Sequence, residues 1–241
     1  MLQSQTDEFV CLKVYSAAAL SDGRQDLDKL YRDMDDADAF LFQVTSSDSA
    51  WGEIEEYAEK FETPIIYVGG ESAGKIKTKD QMKHSAICNQ FYVYSGAENM
   101  VNMMKYICSQ VLHEEMEYQE PIFIPWEGIF HPDSKEIFQS TKDYFDWKEP
   151  SGKGTIALLV SRTAWLSGDI EVEQTLIKHI EKNGYTALPI FSYATADIDL
   201  GAKGTAYAVE IFCFDDYGQP IVDGMIRMTG FFLQDTDEYA N

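Results

Sequence analysis

The chain has 241 residues, 45% of them apolar and 13% aromatic, which is enough to bury a sizeable core and excludes a disordered polymer. Its 19 basic against 41 acidic residues give a net charge of −22, which argues against nucleic acid as a partner, since phosphate binding needs concentrated Lys and Arg. The arginines, Arg24, Arg32, Arg162 and Arg227, are scattered. No apolar run approaches the ~20 residues that span a bilayer, and the first residues lack the basic and apolar regions of a signal peptide. Cys11, Cys88, Cys108 and Cys213 are widely spaced, without a CxxC pair, and read as free thiols in a cytoplasmic protein.

In chain order, residues 9–15 read as a short first strand and Asp26–Met34 as a helix, with Leu27, Leu30, Tyr31 and Met34 on one face. The apolar run 37–45 predicts a buried parallel strand, followed by a helix over 51–61 that Ser47 or Asp48 can cap. A third strand over 63–68 ends in Gly69-Gly-Glu-Ser-Ala-Gly-Lys75. That loop has the spacing of a phosphate loop, but Ile76 stands where Ser or Thr would hold Mg²⁺, so an ordinary strand-to-helix loop is the stronger reading. Residues 90–94 read as a fourth strand and 100–113 as an amphipathic helix, with Glu98 and Asn99 at its entrance as natural capping groups.

Residues 121–133 hold three prolines and a glycine among six large apolar residues. Proline removes a donor and fixes φ, so this is an extended joint laid on a hydrophobic surface, presenting Glu127, His131 and Asp133. Residues 134–144 read as a polar helix, and 155–161 as the clearest buried strand. A helix over 170–183, stopped by Gly184, leads to a parallel strand over 185–191. Residues 195–205 read as a loop, 206–214 as strand-like, and 215–220 as a turn. The expected fold is α/β: a Rossmann-like or flavodoxin-like parallel layer, then the start of a second α/β layer that breaks off early. The expected division is a first domain over 1–118, a joint and linker over 119–153, and a second unit over 154–241.

His131 and Asp133 can share a proton or bind a metal together, or else cap a turn and open a helix. Arg162, at the end of a buried strand, can hold a carboxylate, and Trp165 can offer a flat face to a macrocycle; a strand-end ion pair and a core tryptophan are the alternatives. No nucleophile has a local signature.

Several blocks of residues resemble the amino-terminal region of the large subunit of cobaltochelatase and magnesium chelatase. They are Tyr94-Ser-Gly-Ala-Glu-Asn99, Trp126-Glu-Gly-Ile-Phe-His-Pro-Asp133, Ile156-Ala-Leu-Leu-Val-Ser-Arg162 with Trp165, Gly184-Tyr-Thr-Ala-Leu-Pro-Ile-Phe191 and Pro220-Ile-Val-Asp-Gly-Met-Ile-Arg-Met-Thr-Gly-Phe231. The resemblance implies a role in binding a tetrapyrrole, a corrin or porphyrin, with Glu98, Asn99, His131, Asp133, Arg162 and Trp165 near the substrate. It implies ATP, Mg and Co acting in the complete enzyme, with AAA+ type subunits as partners. Family members are several times longer, so the metal-insertion centre is expected mainly outside this chain, and catalysis by the chain alone is not expected. An α/β scaffold or protein-interaction module without a small-molecule site is the alternative, and a free-standing nucleotide binder using Gly69 and Ser95 is a third reading.

Overall fold

The computed structural model describes residues 10–43, 49–70 and 72–229, the side chains of 49–51, 72 and 73 excepted. The chain divides into two compact units, residues 1–123 and 124–241. Among the described residues no helix is long and apolar enough to cross a membrane.

In the first unit, α1 (Ala17–Ser21) and α2 (Leu27–Asp35) precede β1 (Phe40–Gln43), and α3 (Ser49–Ala58) leads to β2 (Ile65–Val68), which pairs in parallel with β1. Asp26 caps α2 by accepting from the Asp28 amide, as expected of an acidic residue at a helix start. Every residue of β2 is buried, and alternation divides its side chains between two cores. Ile65 and Tyr67 join Leu30, Met34, Phe40 and Ile54, while Ile66 and Val68 join Cys88, Phe91, Met103 and Tyr106. Each such aliphatic burial is worth about 1.5–3 kcal/mol.

Two expected strands of this unit are not strands. Residues 10–15 are irregular, and Phe9 and the capping residues Ser47 and Asp48 lie outside the described residues. Residues 90–94 form the last turns of α4 (Lys79–Tyr94). Their aromatic and β-branched composition favours a strand, but Thr78 and Gln81 form a reciprocal capping box that starts a helix well upstream. Ser85, Cys88 and Phe91 then fall on one buried helical face, and the Ser85 hydroxyl accepts from the Tyr67 amide of β2. The described sheet of this unit is therefore two-stranded. After α5 (Ala97–Tyr106) and a π-helical turn (Ile107–Val111), Asn99 and Asn102 fasten the segment that follows. Asn99 exchanges two bonds with the Ile122 backbone (2.8 and 2.9 Å), and the Asn102 oxygen accepts from the Gln119 amide at 2.9 Å.

The second unit is built on a four-stranded sheet of order β3-β5-β4-β6. β3 (Glu127–Ile129) is antiparallel to β5 (Thr186–Ser192), whereas β4 (Thr155–Ser161) is parallel to both β5 and β6 (Gly224–Arg227). The helices are α6 (Thr141–Trp147), α7 (Arg162–Ser167), α8 (Glu171–Lys182) and α9 (Gly204–Cys213). Ala157, Leu159, Leu188 and Ile190 face a core with Tyr144 of α6 and with Ala208 and Phe212 of α9. Leu158, Val160, Ala187 and Phe191 face the opposite core, with Ile177 of α8 and with Trp165. Helices on both faces of a largely parallel sheet make this an α/β layer, as the sequence predicts.

The expected joint supplies an edge strand, β3. Its Gly128 is required, because a Cβ there would lie 2.8 Å from the Phe191 ring. The strand-like run 206–214 is instead α9. That helix is apolar nearly all round, so its periodicity is masked, and its start is capped from a distant residue, Glu127, whose Oε1 accepts from the amides of Lys203 and Gly204 (2.9 and 2.8 Å).

Candidate functional site at the carboxyl edge of the second sheet

Parallel α/β sheets bind ligands beyond the carboxyl ends of their strands, at the point where the strand order reverses. β4 leads to β5 on one side of itself, and β5 leads to β6 on the other, so the reversal lies between β4 and β6. Ser161 ends β4 and pairs with Ser192, which ends β5. Ser192 also pairs with Glu127 of β3. On the far side the last pair is Leu159 with Arg227, and the Met228 amide bonds to the Leu159 carbonyl at 2.8 Å; the same register carried two residues past the end of β6 brings Thr229 level with Ser161. Glu127, Ser192, Ser161 and Thr229 thus form a polar row across all four strands, and alternation puts them on the face that carries α9.

The half of the row nearest β3 is saturated. Ser192 Oγ and Thr205 Oγ1 lie 2.8 Å apart, both buried, and Glu127 holds the start of α9. The other half is open in its bonding. The Ser161 hydroxyl makes no capping bond to α7, and the buried Thr229 Oγ1 has no hydrogen-bond partner among the described residues.

Arg162 is also at this edge, and it is buried. Its Nε and Nη2 donate to the carbonyls of Pro125 and Ile124, each at 2.9 Å, and its guanidinium lies over the Trp126 ring at 4.5 Å. Burial pushes its pKa down to about 10, so it stays charged at neutral pH. Trp165 stacks flat on Phe191 with ring centroids 3.9 Å apart and remains half-buried.

His131 and Asp133 sit elsewhere. Ile129 is antiparallel to Ile190, so His131 runs level with Leu188, about five residues and roughly 16 Å along the strands from Arg162. The four residues do not share one pocket. His131 is buried, its Nδ1 accepts from the Asp133 amide at 3.2 Å, and its Nε2 donates to Glu181 Oε1 at 3.0 Å. Lys148 also bonds to Glu181. The exposed Asp133 carboxylate is 3.8 Å from the ring. In the first unit Asn99 is buried in its bonds to the backbone at 95 and 122, and Glu98 is exposed. The lysine of the glycine-rich loop, Lys75, is paired with Glu55 at 2.6 Å in a 3₁₀ turn, and the next helix starts only at Lys79. Among the described residues no three His, Cys, Asp or Glu side chains converge as metal ligands.

Burial lowers the pKa of His131, with Lys148 adding to that push and Glu181 opposing it. A folded pKa below the unfolded ~6.5 means that the unfolded chain binds the proton more readily. The stability that neutral His131 provides is therefore complete above pH 6.5 and is lost as the pH falls from 6.5 through the folded pKa. Urea unfolding of the chain between pH 5 and 8 is expected to show this loss, and His131→Gln to flatten the difference; identical slopes in the two proteins would refute it.

The polar row was missed in the sequence, although it left a mark there. β4 and β5 are apolar runs that close on a hydroxyl, Leu-Leu-Val-Ser161 and Pro-Ile-Phe-Ser192, and a third hydroxyl, Thr229, follows two residues after β6.

Comparisons with known proteins agree with this architecture. A solved structure, the catalytic subunit of cobaltochelatase from Mycobacterium tuberculosis, superposes with a TM-score of 0.56 at 17% identity, over 85% of this chain and 16% of that one. An uncharacterized protein of Methanocaldococcus jannaschii is 27% identical over 215 residues, which is 89% of this chain and 16% of the relative. A magnesium-chelatase subunit of Chlorobaculum parvum is 28% identical over 162 residues, 65% of this chain and 12% of the relative. The chain thus spans between 12% and 16% of the length of these proteins. The CobN/Magnesium Chelatase family profile matches residues 89–241, well over half of the chain. The chain is a member of the CobN/magnesium chelatase family, corresponding to a region of a chelatase large subunit.

Proposed function

We propose that this chain is the region of a chelatase large subunit that helps to hold a tetrapyrrole, a corrin or porphyrin, for the insertion of cobalt or magnesium. The observation that carries this reading is the polar row at the carboxyl edge of the second sheet, in a chain of this family. A tetrapyrrole has a broad apolar plane and peripheral carboxylates. Trp165, half-buried on Phe191, offers a flat face on the α8 side of the sheet just past the end of β4, and the hydroxyl groups of the row offer donors on the α9 side of the same edge. The inserted ion, a substrate here, takes its ligands from elsewhere in the complete enzyme, where ATP, Mg²⁺ and AAA+ type subunits also act. The net charge of −22 weakens the long-range attraction of an anionic macrocycle, so affinity rests on short-range contacts and rises with ionic strength.

One observation favours a second reading, a scaffold region without a ligand of its own. Arg162 Nε and Nη2, both ring nitrogens of His131 and the side-chain amide of Asn99, in three of the residues first expected at the substrate, bond to groups of their own unit. A titration of tryptophan fluorescence separates the two. Saturable quenching by a carboxylated porphyrin or a metal-free corrin, and not by apolar dyes, supports substrate binding. Flat titrations with both macrocycles would leave the scaffold.

A further inference from the structure

We infer that Ser161 and Thr229, side by side at the ends of β4 and β6, form a receptor for one carboxylate, supplied by the rim of the macrocycle. The inference rests on the tetrapyrrole reading above and specifies which atoms of the chain meet which part of the ligand.

The starting point is Thr229. It is only 8% exposed, and its Oγ1 is a buried polar atom with no hydrogen-bond partner, the one such atom among the described residues. Buried polar groups in native proteins are nearly always paired, because an unmade bond forfeits hydration without return. An orphan of this kind marks the absence of a partner. Thr229 lies two residues past β6, and the register of the last pair, Leu159 with Arg227, extended by those two residues brings it level with Ser161 on the same face of the sheet. Strands lie about 4.8 Å apart, a span that one carboxylate bridges by accepting a bond from each hydroxyl.

The position is the one that topology favours, since the order of the parallel strands reverses between β4 and β6. Arg162 follows Ser161 directly, with its buried, charged guanidinium over Trp126 toward the β3 side of the edge, where it adds a positive field that favours an anion at longer range. The remainder of the row does not compete for the ligand. Ser192 is engaged with Thr205, and Glu127 with the amides that open α9. A carboxylate entering at β4 and β6 therefore meets donors there and stays a strand's width or more from the Glu127 charge.

The test uses the full chain with Thr229→Val, which keeps the shape and deletes the hydroxyl, and Ser161→Ala. Thr229→Val is expected to melt at or above the wild-type temperature, because it removes an orphan buried hydroxyl. Mesoporphyrin, which carries propionates, is titrated against its dimethyl ester. The free acid is expected to bind wild type about tenfold more tightly than the ester, and each variant to erase most of that preference. Succinate, followed by amide NMR, is expected to shift the signals of Ser161 and Thr229 in wild type and not in Thr229→Val. Equal acid and ester binding in wild type and both variants, with no succinate shift at these amides, overturns the carboxylate receptor and leaves macrocycle binding standing. A succinate shift that valine abolishes, with no binding of either porphyrin, keeps the receptor and overturns the macrocycle as its source. No response to any of the three probes overturns both.

Discussion

Gly204→Val is expected to destabilise the second unit by about 4 kcal/mol, enough to leave much of the protein unfolded at moderate temperature. Gly204 has φ +81°, and a Cβ there would lie 2.7 Å from the backbone N of Ala196 and the carbonyl carbon of Thr195. A left-handed conformation costs a β-branched residue at least ~1–2 kcal/mol. The overlap adds a similar ~1–3 kcal/mol, because the atoms met are backbone and cannot swing aside. Any shift that relieves it draws the Gly204 amide away from the Glu127 carboxylate, a charge-assisted bond of about 1.5–3 kcal/mol. Gly201→Ala is the control. Its φ is +74° but nothing lies within 4 Å of the added carbon, so only the conformational cost of about 1 kcal/mol applies. Urea unfolding followed by tryptophan fluorescence measures both; equal losses for the two variants would refute the steric part of the account.

The second large effect belongs to Arg162→Ala, expected to cost about 3–5 kcal/mol through two lost bonds from a charged donor and lost packing. The substitution strips the carbonyls of Ile124 and Pro125 of their donors, removes a cation from the face of Trp126, and leaves a cavity behind β4. Arg162→Lys restores the charge but not the fork, since one ammonium cannot reproduce two bonds in a fixed plane, and less than half of the loss is expected to return. Thermal unfolding monitored by near-ultraviolet circular dichroism reports the packing of the four tryptophans, Trp126 among them. An alanine variant within about 1 kcal/mol of wild type would show that the two carbonyl bonds are replaceable by water. A binding defect in Arg162→Ala is thus to be read only beside its stability, whereas the hydroxyl variants at 161 and 229 avoid that confusion.

Much of the fold could be read from local pattern. The strand at 155–161, the helix at 171–182 and the strand at 186–192 lie close to their predicted bounds, because dense apolar runs and a clean helical stripe leave one assignment. The failures have two physical sources. Residues 90–94 and 206–214 are apolar or aromatic on several faces, so period carries no information, and what decides them lies elsewhere in the chain. For α9 that is a carboxylate 77 residues upstream of Gly204. The candidate site was legible only in part. Arg162 and Trp165 were placed at a strand's carboxyl end from the sequence and stand there. The separation of His131 from them was not legible, because it depends on β3 running antiparallel to β5, and a three-residue edge strand between prolines announces no direction. Bringing Thr229 level with Ser161 needed the strand order.

The two asparagines of α5 have a dynamic consequence. Gln119 and Ile122 lie outside any helix or strand, yet their amide hydrogens are held by Asn102 and Asn99. Asn99 and Asn102 are themselves buried one helical turn apart, so neither bond breaks without loosening that turn of α5 or letting the segment peel away. The exchange of these two amides with deuterium is therefore timed by the helix, and a stretch of chain without repeating structure keeps the rhythm of one.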